Sequence, residues 1–277
     1  MTNALTEIDH APKGTRRLKL RKWVLKTTLV VAIFAPLLFV IAAIGVKFGI
    51  WGVGFGFGTL TLKLGPIMLF ASGFLGVLSL ILACVIKPRR GFWAAGLALI
   101  VAAGGIGNMM SLKAKAQRLP FIHDVTTDTQ DVLNFTAAII EQRAKVKDVN
   151  TSDYVGKRDN REDKLVSVLQ SKAYPKISPL VLESAPDVVF AKVELMVKKM
   201  GWKIANTDAQ AGLIEATDTS FWYGFEDDVI IRIRPSIGGG TLVDMRSLSR
   251  IGQSDLGKNA ERIQSFLKNL KTTEVSS

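Results

Sequence analysis

Three apolar runs, each long enough to cross a lipid bilayer, dominate the first 112 residues of this chain. They extend over Thr27–Val46, about Leu64–Ile86, and Phe92–Met110. A helix needs about 20 mostly apolar residues to cross a hydrocarbon core of about 30 Å, so each run predicts a transmembrane helix. None of the runs carries Asp, Glu, Lys, Arg or His near its middle. This absence favours a membrane anchor over a transporter or a proton relay, which would place an ionisable group there.

Positive charge is concentrated around these runs. The formal net charge is +12, and residues 1–119 hold 15 Lys and Arg against two acids. The most basic segments are the N-terminal tail and the short second loop, with Lys87, Arg89 and Arg90. By the positive-inside rule both segments are predicted to be cytoplasmic, although three bases after the third run oppose this orientation. Three spans then place the C-terminal half outside the cytoplasm. Because the basic excess flanks apolar runs rather than a soluble surface, nucleic acid is not a predicted partner.

Composition divides the chain into four parts: a basic cytoplasmic tail (1–23), a transmembrane anchor (24–112), a stalk and connecting segment (113–177), and a soluble α/β domain (178–277). The first loop, Phe48–Leu62, alternates glycine with aromatic residues and is interpreted as an interfacial connector, with a re-entrant element as the alternative. In the connecting segment a helix is predicted from Phe135 to about Lys147. The charged stretch Asp148–Lys164 predicts a solvated loop.

The C-terminal part has the pattern of an α+β domain. A short strand, Leu180–Leu182, precedes a helix that begins near Pro186 and carries an apolar stripe at helical spacing. Four strand candidates follow and a final helix ends the pattern: Trp202–Asn206, Leu213–Thr219, Asp228–Arg234, Thr241–Arg250 and then Asp255–Leu270. Consecutive strands indicate an antiparallel sheet, and two amphipathic helices can cover one of its faces. The predicted architecture is therefore a two-layer sandwich with the order β-α-β-β-β-β-α, similar to the helix-grip fold.

The last hairpin of this predicted sheet has one apolar and one charged face. A turn at Gly238–Gly240 pairs the last two strands so that Arg232 and Arg234 share a surface with Asp244 and Arg246. One interpretation is an exposed ladder of ion pairs, each contributing about 0.2–1 kcal/mol. The other is a site for an anion or a partner, since guanidinium groups match carboxylate and phosphate geometry.

The candidate binding residues come from this hairpin and from the aromatic cluster Phe221–Tyr223 that precedes it. They are Trp222, Asp227, Asp228, Arg232, Arg234, Asp244, Arg246 and Arg250. A separate group, His123 and Asp124 with Asp128 and Asp131, offers metal-ligand atoms, but a capped turn is the simpler interpretation. No catalytic cysteine, G-x-S-x-G motif or phosphate-binding glycine loop occurs in the soluble half, so no catalytic residue, metal or cofactor is predicted.

The soluble half resembles the domain-of-unknown-function 1499 family over about residues 118–270. The resemblance is carried by Pro120–Asp128, Tyr174–Pro175, Gly201–Trp202, Gly212–Thr217, Phe225–Val229, Arg232–Pro235 and, above all, Val243–Ile263 with Asp244–Ser247 and Ser254–Gly257. It implies a domain associated with the cell envelope, often with a membrane anchor, and it implies no activity.

Two hypotheses about function remain open. The first is a non-enzymatic protein of the envelope, with a periplasmic domain in a bacterial inner membrane, whose polar sheet face binds a protein partner or an anionic ligand. The second is an envelope enzyme that uses Asp227, Asp228, Asp244 and the arginines of the last hairpin. A carboxylate with a strongly raised pKa in a pocket would favour the enzyme.

Overall fold

The computed structural model describes residues 13–275, which form two compact units that meet in sequence between Leu112 and Lys113. The first twelve residues of the predicted cytoplasmic tail lie outside the described part. The N-terminal unit contains the long helices α1 (Lys13–Lys47) and α2 (Gly65–Val85) and most of α3 (Phe92–Arg118), which continues past Leu112. A π-helix, Gly54–Leu64, runs directly into α2. Within the described residues, three helical segments are long and apolar enough to cross a membrane: Gly14–Lys47, Gly54–Val85 and Phe92–Arg118.

All three helical segments are longer than the apolar runs predict, and the third continues from Met110 to Arg118. The basic residues before Thr27 are helical, because Lys and Arg are good helix formers and extend α1 toward its N-terminus. The prediction of an interfacial connector at Phe48–Leu62 is wrong beyond Val53, because the glycine-rich stretch from Gly54 forms the π-helix. A helical backbone satisfies its own polar groups, which is required wherever it lies in lipid.

Small and hydroxyl-bearing residues mediate the packing of these three helices. The hydroxyls of Thr28 and Ser79 lie 2.7 Å apart between α1 and α2, and Ser72 Oγ donates to the Ala98 carbonyl at 3.1 Å between α2 and α3. Hydrogen bonds and small side chains are the usual contacts between helices in a bilayer, where apolar surface alone gives little driving force.

The C-terminal unit is an α+β fold. Its described residues form six strands: β1 (Asp124–Thr126), β2 (Leu180–Leu182), β3 (Lys203–Asp208), β4 (Leu213–Thr219), β5 (Glu226–Pro235) and β6 (Thr241–Ser249). Its helices are α4 (Ala137–Arg143), α5 (Val166–Ala173), α6 (Pro186–Lys199) and α7 (Lys258–Val275). The antiparallel strands follow the order β1-β6-β5-β4-β3, and β2 also pairs with β6. From β2 onward the predicted element order and sheet type are confirmed.

One face of the sheet packs against α6 and α7, as predicted. Val229 and Ile231 of β5 are fully buried with Val193 of α6 and Phe266 of α7. Trp202, at the start of β3, stacks on Phe266 with ring centroids 5.5 Å apart. This cluster contains most of the buried apolar side chains of the unit and forms its main core.

The opposite face of the sheet is covered as well, which the sequence does not predict. A second apolar cluster joins Leu133, Phe135 and Ile139 to Ile230 and Leu248 of the sheet. We call residues 128–154, which include α4, the covering segment. The C-terminal unit therefore has three layers: the expected helices α6 and α7, the sheet, and the irregular covering segment on the other face of the sheet.

The prediction of a solvated loop at Asp148–Lys164 is wrong for two residues in particular. Tyr154 is buried, and its hydroxyl donates to Gln170 Oε1 at 3.0 Å. Asp159 is also buried, and its carboxylate accepts the backbone N–H groups of Arg161, Glu162 and Lys164. Burial of Asp159 works against ionisation, but these three donors outweigh it and lower its pKa. Local hydrogen bonds thus order a segment whose composition is typical of a loop.

Candidate functional site

The charged face of the last hairpin forms with the predicted register. Arg232 of β5 lies opposite Asp244 of β6, and Ile231 lies opposite Met245 on the apolar face. Asp228, Arg234 and Arg246 share the charged face with Arg232 and Asp244 by the same alternation. Both interpretations of this face assumed that it meets solvent. That assumption is wrong for Asp228, Arg246 and Arg250, which are buried, whereas Arg232 and Arg234 are partly exposed. Its ion pairs form three separate clusters of different exposure.

The first cluster is centred on Arg246, a fully buried side chain. Its Nε and Nη2 donate to the two oxygens of Asp124 at 3.0 and 2.8 Å. Nη1 donates to the Leu133 carbonyl and Nη2 to the Ser152 carbonyl, both at 2.6 Å. The guanidinium also lies over the rings of Phe135 and Tyr154, at 5.3 and 5.6 Å from their centroids. Every nitrogen of Arg246 thus has a hydrogen-bond partner inside the protein, and the group fixes the covering segment to the sheet.

The second cluster is centred on the buried carboxylate of Asp228. Arg143 of α4 donates to Asp228 Oδ2 at 2.7 Å, and Arg250 donates to both oxygens at 2.7–3.0 Å. Thr217 donates its hydroxyl to Oδ1 at 2.9 Å, and Arg250 also pairs with Glu226. Burial lowers the pKa of Arg143, although the hydrogen bond to Asp228 opposes this effect. Asp228 is fully buried and engaged on both oxygens, so its carboxylate is not open to a ligand, whereas Glu226 at the edge of the cluster has a 39% exposed side chain.

The third cluster lies at the other end of the hairpin and is partly open. Arg232 donates through Nε and Nη2 to Asp244 Oδ2 at 3.0 and 2.8 Å, and through Nη2 to Asp131 Oδ2 at 2.7 Å. Arg234 pairs with the same two carboxylates at 3.2 and 3.3 Å. Exposure rises outward from Asp244, whose side chain is 1% exposed, through Arg232 (19%) and Arg234 (40%) to Asp131 (52%).

The electrostatics of this open cluster follow from its geometry. The hydrogen bond from Arg232, reinforced by its charge, lowers the pKa of Asp131. Burial works against the charge of Arg232, but its bonds to Asp131 and Asp244 prevail and raise its pKa. Among the described residues, Arg234 Nε and Asp244 Oδ1 are buried without a hydrogen-bond partner. The cluster is therefore not fully paired, because one nitrogen and one oxygen in it have no hydrogen-bond partner within residues 13–275.

Two of the candidate residues do not belong to any of these three clusters. Asp227 lies on the opposite face of β5 and pairs with Arg262 of α7 at 2.6 Å. Trp222 lies in the turn between β4 and β5, is 56% exposed, and contacts Phe221 edge to face at 5.3 Å. The eight residues predicted from sequence are thus not one site.

Sequence reasoning missed the partners of these arginines. The hairpin holds more arginine than it can pair internally, since Arg232, Arg234, Arg246 and Arg250 exceed its carboxylates on the charged face. That excess was the available signal that acidic groups must come from elsewhere in the chain, and Asp124 and Asp131 supply them.

The structure separates the four residues of the group around His123. Asp124 lies in β1 and pairs with Arg246, Asp131 pairs with Arg232, and only Asp128 caps a turn. Asp128 Oδ1 accepts the backbone N–H groups of Gln130 and Asp131 at 2.8 and 3.1 Å, as the capped-turn interpretation predicts. Within residues 13–275, no group of three or more His, Cys, Asp or Glu side chains is placed to hold a metal ion.

A family model described as a protein of unknown function (DUF1499) matches residues 124–270, which are most of the C-terminal unit. The search of curated proteins finds no match.

Proposed function

Because this chain belongs to the DUF1499 family of proteins of unknown function, we propose its role from its own geometry: it is a membrane-anchored protein that binds an anionic group at the open cluster of Arg232, Arg234 and Asp131. The anion is a carboxylate or phosphate, carried by a protein partner or by a small ligand. The observation that carries this proposal is that Asp131, an exposed residue, bridges both arginines.

Asp131 occupies the position that an external carboxylate would take. It contacts Arg232 and Arg234 from a loop of the covering segment, while Asp244 of β6 pairs with the same two arginines on the buried side of the cluster. Two neighbouring guanidinium groups present several parallel N–H donors, which favours planar anions. An incoming anion can replace Asp131 without disturbing Asp244 or the sheet, because Asp131 is the outermost member of the cluster.

The buried clusters support a structural role for the remaining arginines. Arg246 and Arg250 are buried, and each of their guanidinium nitrogens donates to a protein oxygen, so we assign them to the fold rather than to a ligand. The carboxylates named for the enzyme hypothesis, Asp227, Asp228 and Asp244, all pair with arginine side chains. No observation favours the enzyme over the binding protein.

We place the binding domain outside the cytoplasm, in the periplasm of a bacterial inner-membrane protein, on the basis of the charge distribution. The test is a pair of fusions to a reporter that is active only outside the cytoplasm. A fusion after Ser277 is expected to be active, and one within residues 88–91 silent. The reverse pattern would refute the orientation, but it would leave the anion site untouched.

The binding proposal is tested by calorimetric titration of the full chain in detergent with succinate, inorganic phosphate and a glutamate-rich peptide. Saturable binding of at least one probe is expected, and the probe that binds best distinguishes a carboxylate from a phosphate source. Arg232→Lys keeps the charge but loses the planar fork, so it should weaken binding about tenfold, or about 1.4 kcal/mol. Arg161→Lys, the same change at an exposed arginine elsewhere in the unit, is the control. Equal affinity of the two variants would contradict the proposal.

A further inference from the structure

A small cavity lies beside the start of β1 and shares only Asp124 with the clusters described above. Its volume is about 190 Å³. Since a water molecule takes up roughly 30 Å³ in the liquid, the cavity has room for about six waters or one compact organic molecule. Its polar lining includes His123, Asp124, Asn150, Lys157, Asp159 and Gln253. Phe121, Ile122 and Val166 add an apolar portion.

His123 contributes a ring nitrogen that can accept a hydrogen bond but receives none from the described part of the chain. Its Nδ1 lies 3.2 Å from the Gln253 carbonyl oxygen, which can only accept, so Nδ1 carries the hydrogen. Burial, followed by the charge of Lys157, lowers the pKa of His123, and the ring is therefore neutral at pH 7. In a neutral imidazole with its hydrogen on Nδ1, Nε2 is an acceptor. Among the described residues, Nε2 is buried and has no hydrogen-bond partner.

Lys157 contributes a positive charge with donor capacity to spare. Its side chain is 10% exposed, and Nζ donates to the Thr151 carbonyl at 3.2 Å and lies 3.5 Å from Asp124 Oδ2. An ammonium group has three donors, so these two contacts leave one. Asp124 is already engaged by Arg246 through both oxygens, and Asp159 by three backbone N–H groups. The acidic groups of the lining are thus occupied. Of its two basic groups, Arg158 pairs with Asp163 at 3.4 Å, whereas Lys157 keeps one donor to spare.

We propose that this cavity binds a small hydroxycarboxylate, whose carboxylate contacts Lys157, whose hydroxyl donates to His123, and whose short carbon chain lies against Phe121 and Val166. The ligand class follows from the three complementary features of the lining: an unfilled cationic donor, an unfilled neutral acceptor and an apolar wall. The volume limits the ligand to about three or four carbon atoms. This site is independent of the anion site at Arg232.

The test uses the two histidines of the chain as reporters. Full-length protein with isotope-labelled histidine in detergent gives one NMR signal each for His10 and His123, and His10→Asn assigns them. Lactate should shift the His123 signal saturably. Propionate, which lacks the hydroxyl, and glycerol, which lacks the charge, should each bind at least tenfold more weakly. No saturable shift with lactate, or equal shifts with all three probes, would overturn the proposal.

Variants separate this site from a general effect on the fold. Lys157→Met should weaken lactate binding at least tenfold, whereas Lys164→Met, at a lysine with a 58% exposed side chain, should leave it unchanged. If Lys157→Met does not fold, as judged by its circular dichroism, Lys157→Gln replaces it with the same expectation. Arg232→Lys should have no effect on lactate, which distinguishes failure here from failure of the proposed function. Lactate binding to the Lys157 variant with unchanged affinity would refute the assignment.

Discussion

Replacing Arg246 by methionine should destabilise the C-terminal unit more than any single change at its surface. Arg246 makes four hydrogen bonds inside the protein, two of them to Asp124 and two to backbone carbonyls. Methionine keeps the apolar stem but leaves the Asp124 carboxylate buried with only Lys157 nearby, at 3.5 Å. Removing one partner of a buried ion pair costs about 3–5 kcal/mol, which is a large part of the stability of a typical domain.

The assay is urea unfolding of the full chain in detergent, followed by fluorine NMR of labelled tryptophan. Trp202 is buried against Phe266, so its signal reports the main core of the unit. Lys198→Met removes an exposed ion pair with Glu194 and should cost less than about 1 kcal/mol.

The double variant Asp124→Asn with Arg246→Met tests whether the unpaired charge of Asp124 causes the loss of stability. It removes the uncompensated charge, so it should be more stable than Arg246→Met alone. A loss for Arg246→Met of less than about 1 kcal/mol, or a double variant no more stable than the single one, would refute the buried-pair argument.

Two further predictions follow from single residues. Below pH 6.5 the unfolded chain protonates His123 while the folded chain, in which its pKa is lowered, does not, so stability should fall as pH drops from 6.5 toward the lowered pKa. His123→Gln should remove that slope in urea unfolding, and an unchanged slope would contradict the burial argument. Gly212 has φ +65°, and a Cβ there would collide with the Ile233 carbonyl oxygen. Gly212→Ala should therefore cost at least about 1–2 kcal/mol, whereas Gly238→Ala, with open space around it, should be neutral; equal stabilities would contradict the reasoning.

Much of the fold could be predicted because strong local patterns agree with one another. The period-2 alternation of β5 and β6 and the glycine triplet between them set a register that the structure confirms, with Arg232 opposite Asp244. The apolar stripe of α6 places Val189, Val193 and Val197 in the core as expected. Membrane spans are equally evident, since each needs only a long apolar run.

The helix predicted from Phe135 forms as the shorter α4, but the position of the covering segment on the sheet could not be predicted. That position comes from polar contacts with residues distant in sequence, since Arg143 and Asn150 attach the segment to Asp228 and to the Ser249 and Gly252 carbonyls. A charged composition normally indicates a solvated loop, and only the surplus of arginine in the hairpin pointed to acidic partners elsewhere. The candidate site predicted from sequence consequently included too many residues. Two of its four arginines, Arg246 and Arg250, are in buried ion pairs that stabilise the fold.

The open cluster at Arg232 is tested most directly by removing the carboxylate that occupies it. Asp131→Asn takes the competing negative charge away from Arg232 and Arg234 while leaving Asp244 in place. The affinity of the full chain for the best-binding probe among succinate, phosphate and the acidic peptide is then measured by calorimetry against the unmodified protein. If Asp131 stands in for an external anion, the variant should bind about tenfold more tightly, or about 1.4 kcal/mol. Unchanged or weaker binding by Asp131→Asn would contradict the account.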